Sequence, residues 1–167
     1  MFRTLALLSL ATLALAAPVE VQGSKHVAYL ASCAPDECPI GFCDPSDFNL
    51  VAAGYFANGP PKTGTATPTT FGTLSAFVGN SQWEGAKKTV RLGITGSLAT
   101  NIQAGANKLK PSEIAGDAAL TTSLIGASTE PFVCFRDGTT KFKAMYEGER
   151  YTCTADYYCP SLDLGAQ

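Results

Sequence analysis

The alternation of apolar and polar residues predicts a chain built mainly from β-strands. Residues 26–33 and 71–78 are rich in β-forming side chains, and each predicts one strand. Residues 48–57 are apolar on both faces and predict a buried strand or a short helix. Residues 88–98 alternate most clearly, which predicts one half-buried strand. The side chains that share its apolar face are Val90, Leu92, Ile94 and Leu98.

The last third of the sequence predicts a three-stranded meander over residues 132–136, 139–146 and 150–159. Asp137-Gly138 lies between the first two strands, and Asp-Gly between two β-rich runs predicts a tight hairpin turn. In a flat meander the outer strands lie about 10 Å apart, which is beyond disulfide reach. Cysteines on those outer strands are therefore expected not to bond with each other.

One segment between the strands predicts a helix. Within residues 97–109, Leu98, Ile102 and Leu109 recur near helical spacing, and Pro111 would stop the helix. Residues 111–124 fit either a helix or a strand. Residues 58–70 are rich in proline, threonine and glycine and predict an exposed linker. The predicted fold class is α+β: a mostly antiparallel β-sheet with one packed helix, stapled by disulfides.

The chain begins with the pattern of a secretory signal peptide over residues 1–16. Arg3 supplies the positive start, residues 5–15 are apolar, and Ala16 ends a small-residue cleavage site. The apolar run is too short to span a bilayer core of about 30 Å, so no membrane anchor is expected. Residues 17–167 then form one secreted extracellular domain, which we expect to be a monomer.

The six cysteines fall into two groups of three. The front cysteines are Cys33, Cys38 and Cys43, and the back cysteines are Cys134, Cys153 and Cys159. In an oxidising compartment this even count predicts three disulfides. Because each group holds an odd number, at least one bridge must join the two groups. We expect the back cysteines to bond mainly with the front ones, and no Cys134–Cys153 bridge.

Charge and cysteine spacing argue against several partners and cofactors. The formal net charge is −2, and Lys87, Lys88 and Arg91 form the main basic concentration. Nucleic-acid binding, which needs an extended basic surface, is not expected. The four-residue spacing between the front cysteines does not match a zinc knuckle. We expect no metal and no other cofactor.

Few residues in the sequence are candidates for catalysis. The single histidine, His26, stands among strand residues and predicts a structural or surface role. No nucleophile elbow, zinc-protease motif or phosphate-binding loop occurs. Four carboxylates crowd the front loop. A pair of them could hydrolyse a glycosidic bond, the group could weakly bind calcium, or it could form a solvated acidic loop. They are Asp36, Glu37, Asp44 and Asp47. No catalytic residue is assigned.

Four aromatic residues are the candidate binding residues. They are Trp83, Tyr151, Tyr157 and Tyr158. Exposed tyrosine and tryptophan rings stack on sugars and anchor protein interfaces, whereas buried ones build the core. A small domain uses most of its aromatic residues in the core, which is the alternative for these four.

The signal peptide, the cysteine layout and Ala17-Pro18-Val19-Glu20 directly after the cleavage site give the chain a class resemblance. It resembles fungal small secreted cysteine-containing proteins, the class that includes candidate host-interaction effectors in virulence. That resemblance implies a non-enzymatic extracellular protein whose partner is a host or cell-wall component, either protein or polysaccharide. It assigns no functional residue. The alternatives are a small carboxylate-dependent hydrolase and a protease inhibitor.

Overall fold

The protein is nearly all β. The structure, a computed structural model, describes residues 25–37, 44–76, 82–122 and 127–162. Over these ranges nine strands form one antiparallel sheet, with two short 3-10 helices and no α-helix. The strands are β1 (Val27–Pro35), β2 (Leu50–Phe56), β3 (Thr70–Ala76), β4 (Lys88–Leu92), β5 (Gly96–Ile102), β6 (Ile114–Thr122), β7 (Ser128–Arg136), β8 (Lys141–Tyr146) and β9 (Glu149–Pro160). The predicted α+β class, with its packed helix, is therefore wrong. The predicted signal peptide, residues 1–16, lies outside the described residues.

The predicted helix over residues 97–109 is mostly strand β5, followed by the 3-10 helix Ala106–Lys108. Leu98 and Ile102 are four residues apart, a spacing that fits one face of a helix but also one face of a strand. Thr100 lies between them in sequence and is buried as well. A strand places every second side chain on the same face, whereas a helix would turn Thr100 away from Leu98 and Ile102. Residues 111–124, ambiguous in sequence, contain strand β6.

The segment 88–98 is two strands joined by a turn, where the sequence predicted one. Strand β4 ends at Leu92, whose carbonyl accepts a hydrogen bond from the Thr95 N–H at 2.9 Å. Ile94 lies in this turn and is 78% exposed, so it is not part of the apolar face. The other three predicted positions, Val90, Leu92 and Leu98, are buried.

The sheet curves until its two ends approach each other. Its strand order is β3-β2-β1-β9-β7-β6-β5-β4, with β8 paired to β9 beside this path. Gly72 of β3 lies so close to β4 that a Cβ atom added there would be 2.2 Å from the Arg91 carbonyl oxygen. The absence of a side chain at Gly72 therefore lets the end strands meet and gives the sheet its near-closed, barrel-like shape.

Buried side chains form two clusters on opposite faces of β1, β2 and β9. The interior cluster fills the barrel and includes Leu30, Trp83 and Tyr157. The outer cluster lies between the sheet and β8 and includes Tyr29 and Phe142. The linker over residues 58–70 also covers this outer face, because the Ala66 carbonyl accepts a hydrogen bond from the Lys143 N–H at 2.9 Å.

Strand β9 serves both clusters because it contains a β-bulge. Leu30 of β1 is opposite Tyr157, but Ala31 is opposite Ala155, which leaves Asp156 as an extra residue. An extra residue reverses the faces that the following side chains occupy. Tyr157 therefore faces the barrel interior, whereas Ala155 faces the outer cluster.

The predicted hairpin at Asp137-Gly138 is wrong. Both β7 and β8 pair antiparallel with β9, one after the other along the same edge. The connecting residues follow β9 as well, since the Asp137 N–H donates to the Asp156 carbonyl and the Gly138 N–H to the Ala155 carbonyl. The chain therefore continues in one direction where Asp-Gly predicted a reversal.

The turn of a true hairpin in this region joins β8 to β9. Tyr146 is opposite Glu149, and the two residues between them, Glu147 and Gly148, have φ values of 51° and 88°. Positive φ at both central residues is the requirement of a type I′ turn. The predicted strands 139–146 and 150–159 leave room for this turn between them, whereas the turn predicted at Asp137-Gly138 does not exist.

Two disulfides lie in the described ranges. Cys33 of β1 bonds with Cys153 of β9, and Cys134 of β7 bonds with Cys159 of β9. The first bridge confirms the predicted link between front and back cysteines. The second shows that two back cysteines bond with each other, contrary to expectation. Cys134 and Cys153 do not bond with each other, as predicted. The reason differs from the predicted one, because β7, β8 and β9 do not form the expected meander.

The remaining two cysteines, Cys38 and Cys43, lie outside the described residues.

Replacing Gly138 by valine should destabilise the protein by about 1 to 3 kcal/mol. Gly138 has a φ of 97°, and a β-branched residue resists positive φ. Gly64→Val is the matched control, because Gly64 is exposed and its nearest neighbour to an added Cβ is 3.7 Å away. Urea unfolding measures both variants, and equal midpoints for the two would contradict the expectation.

Candidate functional site

A row of aromatic side chains crosses three strands on the outer face of the sheet. Phe135 of β7 is opposite Tyr158 of β9, which is in turn opposite Tyr29 of β1. Directly opposite residues in a sheet point to the same face. The Phe135 and Tyr158 rings stack with centroids 5.2 Å apart and planes 22° apart. Tyr158 is half-buried, whereas Tyr29 belongs to the outer cluster.

Tyr158 and Tyr29 border an open pocket of about 300 Å³, which we call the Tyr158 pocket. Its rim consists of two loops, one before β6 and one between β7 and β8. The residues that line the pocket are Tyr29, Pro111, Ser112, Arg136, Asp137, Thr139, Thr140 and Tyr158. The pocket therefore combines aromatic rings with hydroxyl groups and one carboxylate, and Arg136 also borders it.

The loop between β7 and β8 is fixed by the side chain of Asp137. Its Oδ1 atom accepts hydrogen bonds from the N–H groups of Thr139 and Thr140, each at 2.9 Å, and from the Thr139 hydroxyl at 3.1 Å. Burial would raise the pKa of the Asp137 carboxyl, but these hydrogen bonds outweigh it and hold the pKa below its usual value. Asp137 is therefore charged at neutral pH and holds Thr139 and Thr140 in place.

Arg136 joins the pocket to the bulge in β9. Its Nη1 atom donates to the Asp156 backbone carbonyl and lies 4.0 Å from Asp156 Oδ1. Its guanidinium carbon lies 5.5 Å from the centroid of the Tyr157 ring, within cation–π range. The Asp156 carboxylate and the Tyr157 ring thus position the Arg136 guanidinium beside the pocket and partly balance its positive charge.

The other rim and the floor are shaped by Ser112 and Tyr29. Ser112 has a φ of 69°, and its N–H donates to the Arg136 carbonyl at 2.8 Å, which holds this exposed residue beside the pocket. Burial raises the pKa of Tyr29 to about 12, with smaller contributions from Asp137 and Tyr158. The Tyr29 hydroxyl is therefore a neutral hydrogen-bonding group at physiological pH.

The structure separates the four candidate binding residues. Trp83, Tyr151 and Tyr157 are at most 2% exposed and belong to the core, so their rings are not available for stacking on a ligand. Tyr158 alone borders the pocket. The sequence reasoning missed Arg136, and it interpreted Asp137 only as a turn residue. An Asp followed two residues later by threonine is typical of a side chain that bonds the backbone ahead of it, and this signal was available.

A second, smaller cleft of about 180 Å³ lies on the other side of the bulge, and we call it the Glu84 cleft. Its lining includes Ser32, Trp83, Glu84 and Asp156. The Tyr157 hydroxyl donates to Glu84 Oε1, and the Ser32 hydroxyl donates to Asp156 Oδ2 at 2.8 Å. Burial is the main cause that raises the pKa of Asp156, and the nearby Glu84 charge adds to it.

Asp36, one of the four acidic residues of the front loop, is bonded to two other side chains. Asp36 accepts hydrogen bonds from Thr152 and from the Lys143 ammonium at 2.9 Å, and the Thr152 bond is the main cause of its lowered pKa. A general acid needs a raised pKa, so Asp36 does not suit that role. Glu37 lies beside it, and Asp44 and Asp47 are exposed.

His26 lies directly before β1, with its Nδ1 atom 2.7 Å from Glu130 Oε1 and its ring centroid 5.8 Å from that of Tyr55. Among the described residues, no group of three or more histidine, cysteine or acidic side chains is placed to hold a metal ion. In the same part of the chain, none of the helices is long and apolar enough to cross a membrane.

No protein-family model, curated protein or solved structure matches this chain. The candidate site is therefore defined by its own geometry.

Proposed function

We propose that the protein is a secreted, non-enzymatic binding protein that attaches to a host or cell-wall component through the Tyr158 pocket. The observation that carries this proposal is the position of Tyr158, a half-buried aromatic residue in a pocket with a polar rim. The two disulfides are typical of extracellular proteins and support the setting. In this proposal the curved sheet is the rigid scaffold, and the loops beside Tyr158 supply specificity.

The first test of the setting is the terminus of the secreted protein. Expression with the full sequence in a eukaryotic host should release a protein that begins at Ala17 or within a few residues of it, because the predicted cleavage site follows Ala16. Mass spectrometry of the culture medium reads this terminus. A secreted form that still begins with Met1 would contradict the signal-peptide prediction.

The test of binding compares wild-type protein with Tyr158→Ala. Each is incubated with insoluble cell-wall material and, separately, with host extracellular fluid on an inert support. We expect wild-type protein to be retained by one of the two, and Tyr158→Ala to lose most of that retention. Tyr146→Ala is the matched control, since Tyr146 is also half-buried but lies at the far end of β8 and does not line the pocket. Retention by neither material, or equal retention of all three proteins, would overturn the proposal.

The Glu84 cleft favours a second candidate function, carboxylate-dependent hydrolysis. Two carboxyl groups share this cleft, and the raised pKa of Asp156 suits a proton donor, whereas Glu84 would act as the base or nucleophile. Reducing-end release from a panel of polysaccharides tests it, with Glu84→Gln and Asp156→Asn as the inactive controls. No release above buffer by the wild-type protein would exclude hydrolysis of those substrates.

A further inference from the structure

The Tyr158 pocket has the chemistry of a sugar-binding site. A pyranose ring presents an apolar face of C–H groups and an edge of hydroxyl groups. The Tyr158 ring, stacked on Phe135, offers a flat apolar surface for the first, and both rim loops offer hydrogen-bonding groups for the second. Because the Thr139 hydroxyl already donates to Asp137, it is left to accept hydrogen bonds from a ligand.

The size of the pocket favours a single sugar unit over a protein surface. About 300 Å³ is at the lower end of the range for small-molecule pockets. A stable protein interface buries about 800 Å² on each partner, and this needs a broad surface rather than a small concavity. A sugar unit of a longer chain fits, because the pocket is open and its neighbouring units can extend into solvent.

The charges of the pocket favour a neutral sugar. Asp137 is ionised at neutral pH and would repel an anionic sugar. The positive charge of Arg136 is partly balanced by Asp156, whose Oδ1 lies 4.0 Å from the guanidinium. The pocket therefore holds hydrogen-bond donors and acceptors without an excess of positive charge.

We propose that the Tyr158 pocket binds one unit of a neutral polysaccharide, with the sugar ring stacked on Tyr158 and its hydroxyl groups bonded to the two rim loops. This inference rests on the proposed function, which places partner binding in the same pocket. It adds the chemical class of the partner, and a protein partner becomes an outcome of the test.

The experiment measures binding of defined hexasaccharides by isothermal titration calorimetry. The probes are cellohexaose, laminarihexaose and chitohexaose, with hexagalacturonate as the anionic comparison. We expect at least one neutral probe to bind, and Tyr158→Ala to weaken it by about tenfold or more. Tyr158→Phe, which keeps the ring, and Tyr146→Ala, which lies outside the pocket, should stay within about threefold of wild type.

Ser112→Gly is the second variant, in case Tyr158→Ala does not fold. Glycine accepts the positive φ of this position, so the change removes a rim hydroxyl without straining the backbone. We expect it to weaken the neutral probe severalfold, and unchanged binding would count against the inference.

Two results separate this inference from the proposed function. If cell-wall material or host fluid retains the protein through Tyr158 but no neutral probe binds, the sugar inference is overturned and the proposed function stands. Tighter binding of hexagalacturonate than of every neutral probe overturns it too. If neither cell-wall material nor host fluid retains the protein and none of the hexasaccharides binds, both proposals fail.

Discussion

Replacing Cys33 and Cys153 together by alanine is expected to destabilise the protein by about 5 kcal/mol. These cysteines are separated by 120 residues, so their bridge closes most of the domain into one loop. In the chain-entropy account, the stabilisation by a disulfide rises with the length of the loop that it closes. Urea unfolding of the oxidised protein and the variant measures the difference.

The matched control is the double replacement of Cys134 and Cys159. Their separation is 25 residues, which predicts a smaller loss of about 3.5 kcal/mol. All four cysteines are at most 1% exposed, so the cavities left by the two double variants are comparable. Equal losses, or a larger loss for the Cys134–Cys159 pair, would contradict the loop-length argument.

Replacing Gly72 by valine is expected to cost about 3 kcal/mol or more, because overpacking forces neighbouring groups apart. The added Cβ would lie 2.2 Å from the Arg91 carbonyl oxygen and 2.8 Å from Val90 Cγ1. The carbonyl belongs to the backbone of β4 and cannot turn aside as a flexible side chain would. The replacement therefore has to separate β3 from β4 and open the barrel-like sheet.

Amide hydrogen exchange locates this effect as well as measuring it. In Gly72→Val the amides of β3 and β4 should lose protection before those of β1 and β9, which lie far from the two sheet ends in strand order. Gly64→Val again serves as the control. Unchanged stability in Gly72→Val would show that the two ends of the sheet do not depend on each other.

Strand positions were largely predictable from sequence, because their signal is local. Runs of β-forming residues located β1 and β3 to within a few residues, and alternation located the start of β4 but not its end. The false helix arose at Leu98 and Ile102, whose spacing of four fits a helix and a strand equally well. Only the burial of Thr100, a property of the folded barrel, separates the two.

Strand pairing was not predictable, because it depends on long-range contacts. Asp137-Gly138 has the sequence of a hairpin turn, and Gly138 does adopt positive φ. At the bulge, the Asp156 carbonyl accepts from the Asp137 N–H and the Ala155 carbonyl accepts from the Gly138 N–H. The chain therefore follows β9 instead of turning back. The same bulge sets the position of Arg136 beside the Tyr158 pocket.

The candidate site, too, was predictable from sequence only in its local features. Composition identified tyrosines as binding candidates, but only the fold separates Tyr158 from the buried Tyr151 and Tyr157. All three lie on β9, where Tyr157 faces the interior cluster and Tyr151 and Tyr158 pack with the outer cluster. The elements packed against each ring decide whether it is covered. The rim residue Ser112 lies far from β9 in sequence, and nothing local connects the two.

The most direct test of the binding site uses nuclear magnetic resonance to map chemical-shift changes of the backbone amide and indole N–H groups. Labelled protein is titrated with the soluble fraction of whichever material retains it. We expect shifts at Ser112, at residues 136–140 and at Tyr158, and no shift at the indole N–H of Trp83, which is 2% exposed in the barrel interior. Shifts centred on Trp83 and Glu84, with the Tyr158 pocket unchanged, would contradict the account and place binding in the Glu84 cleft.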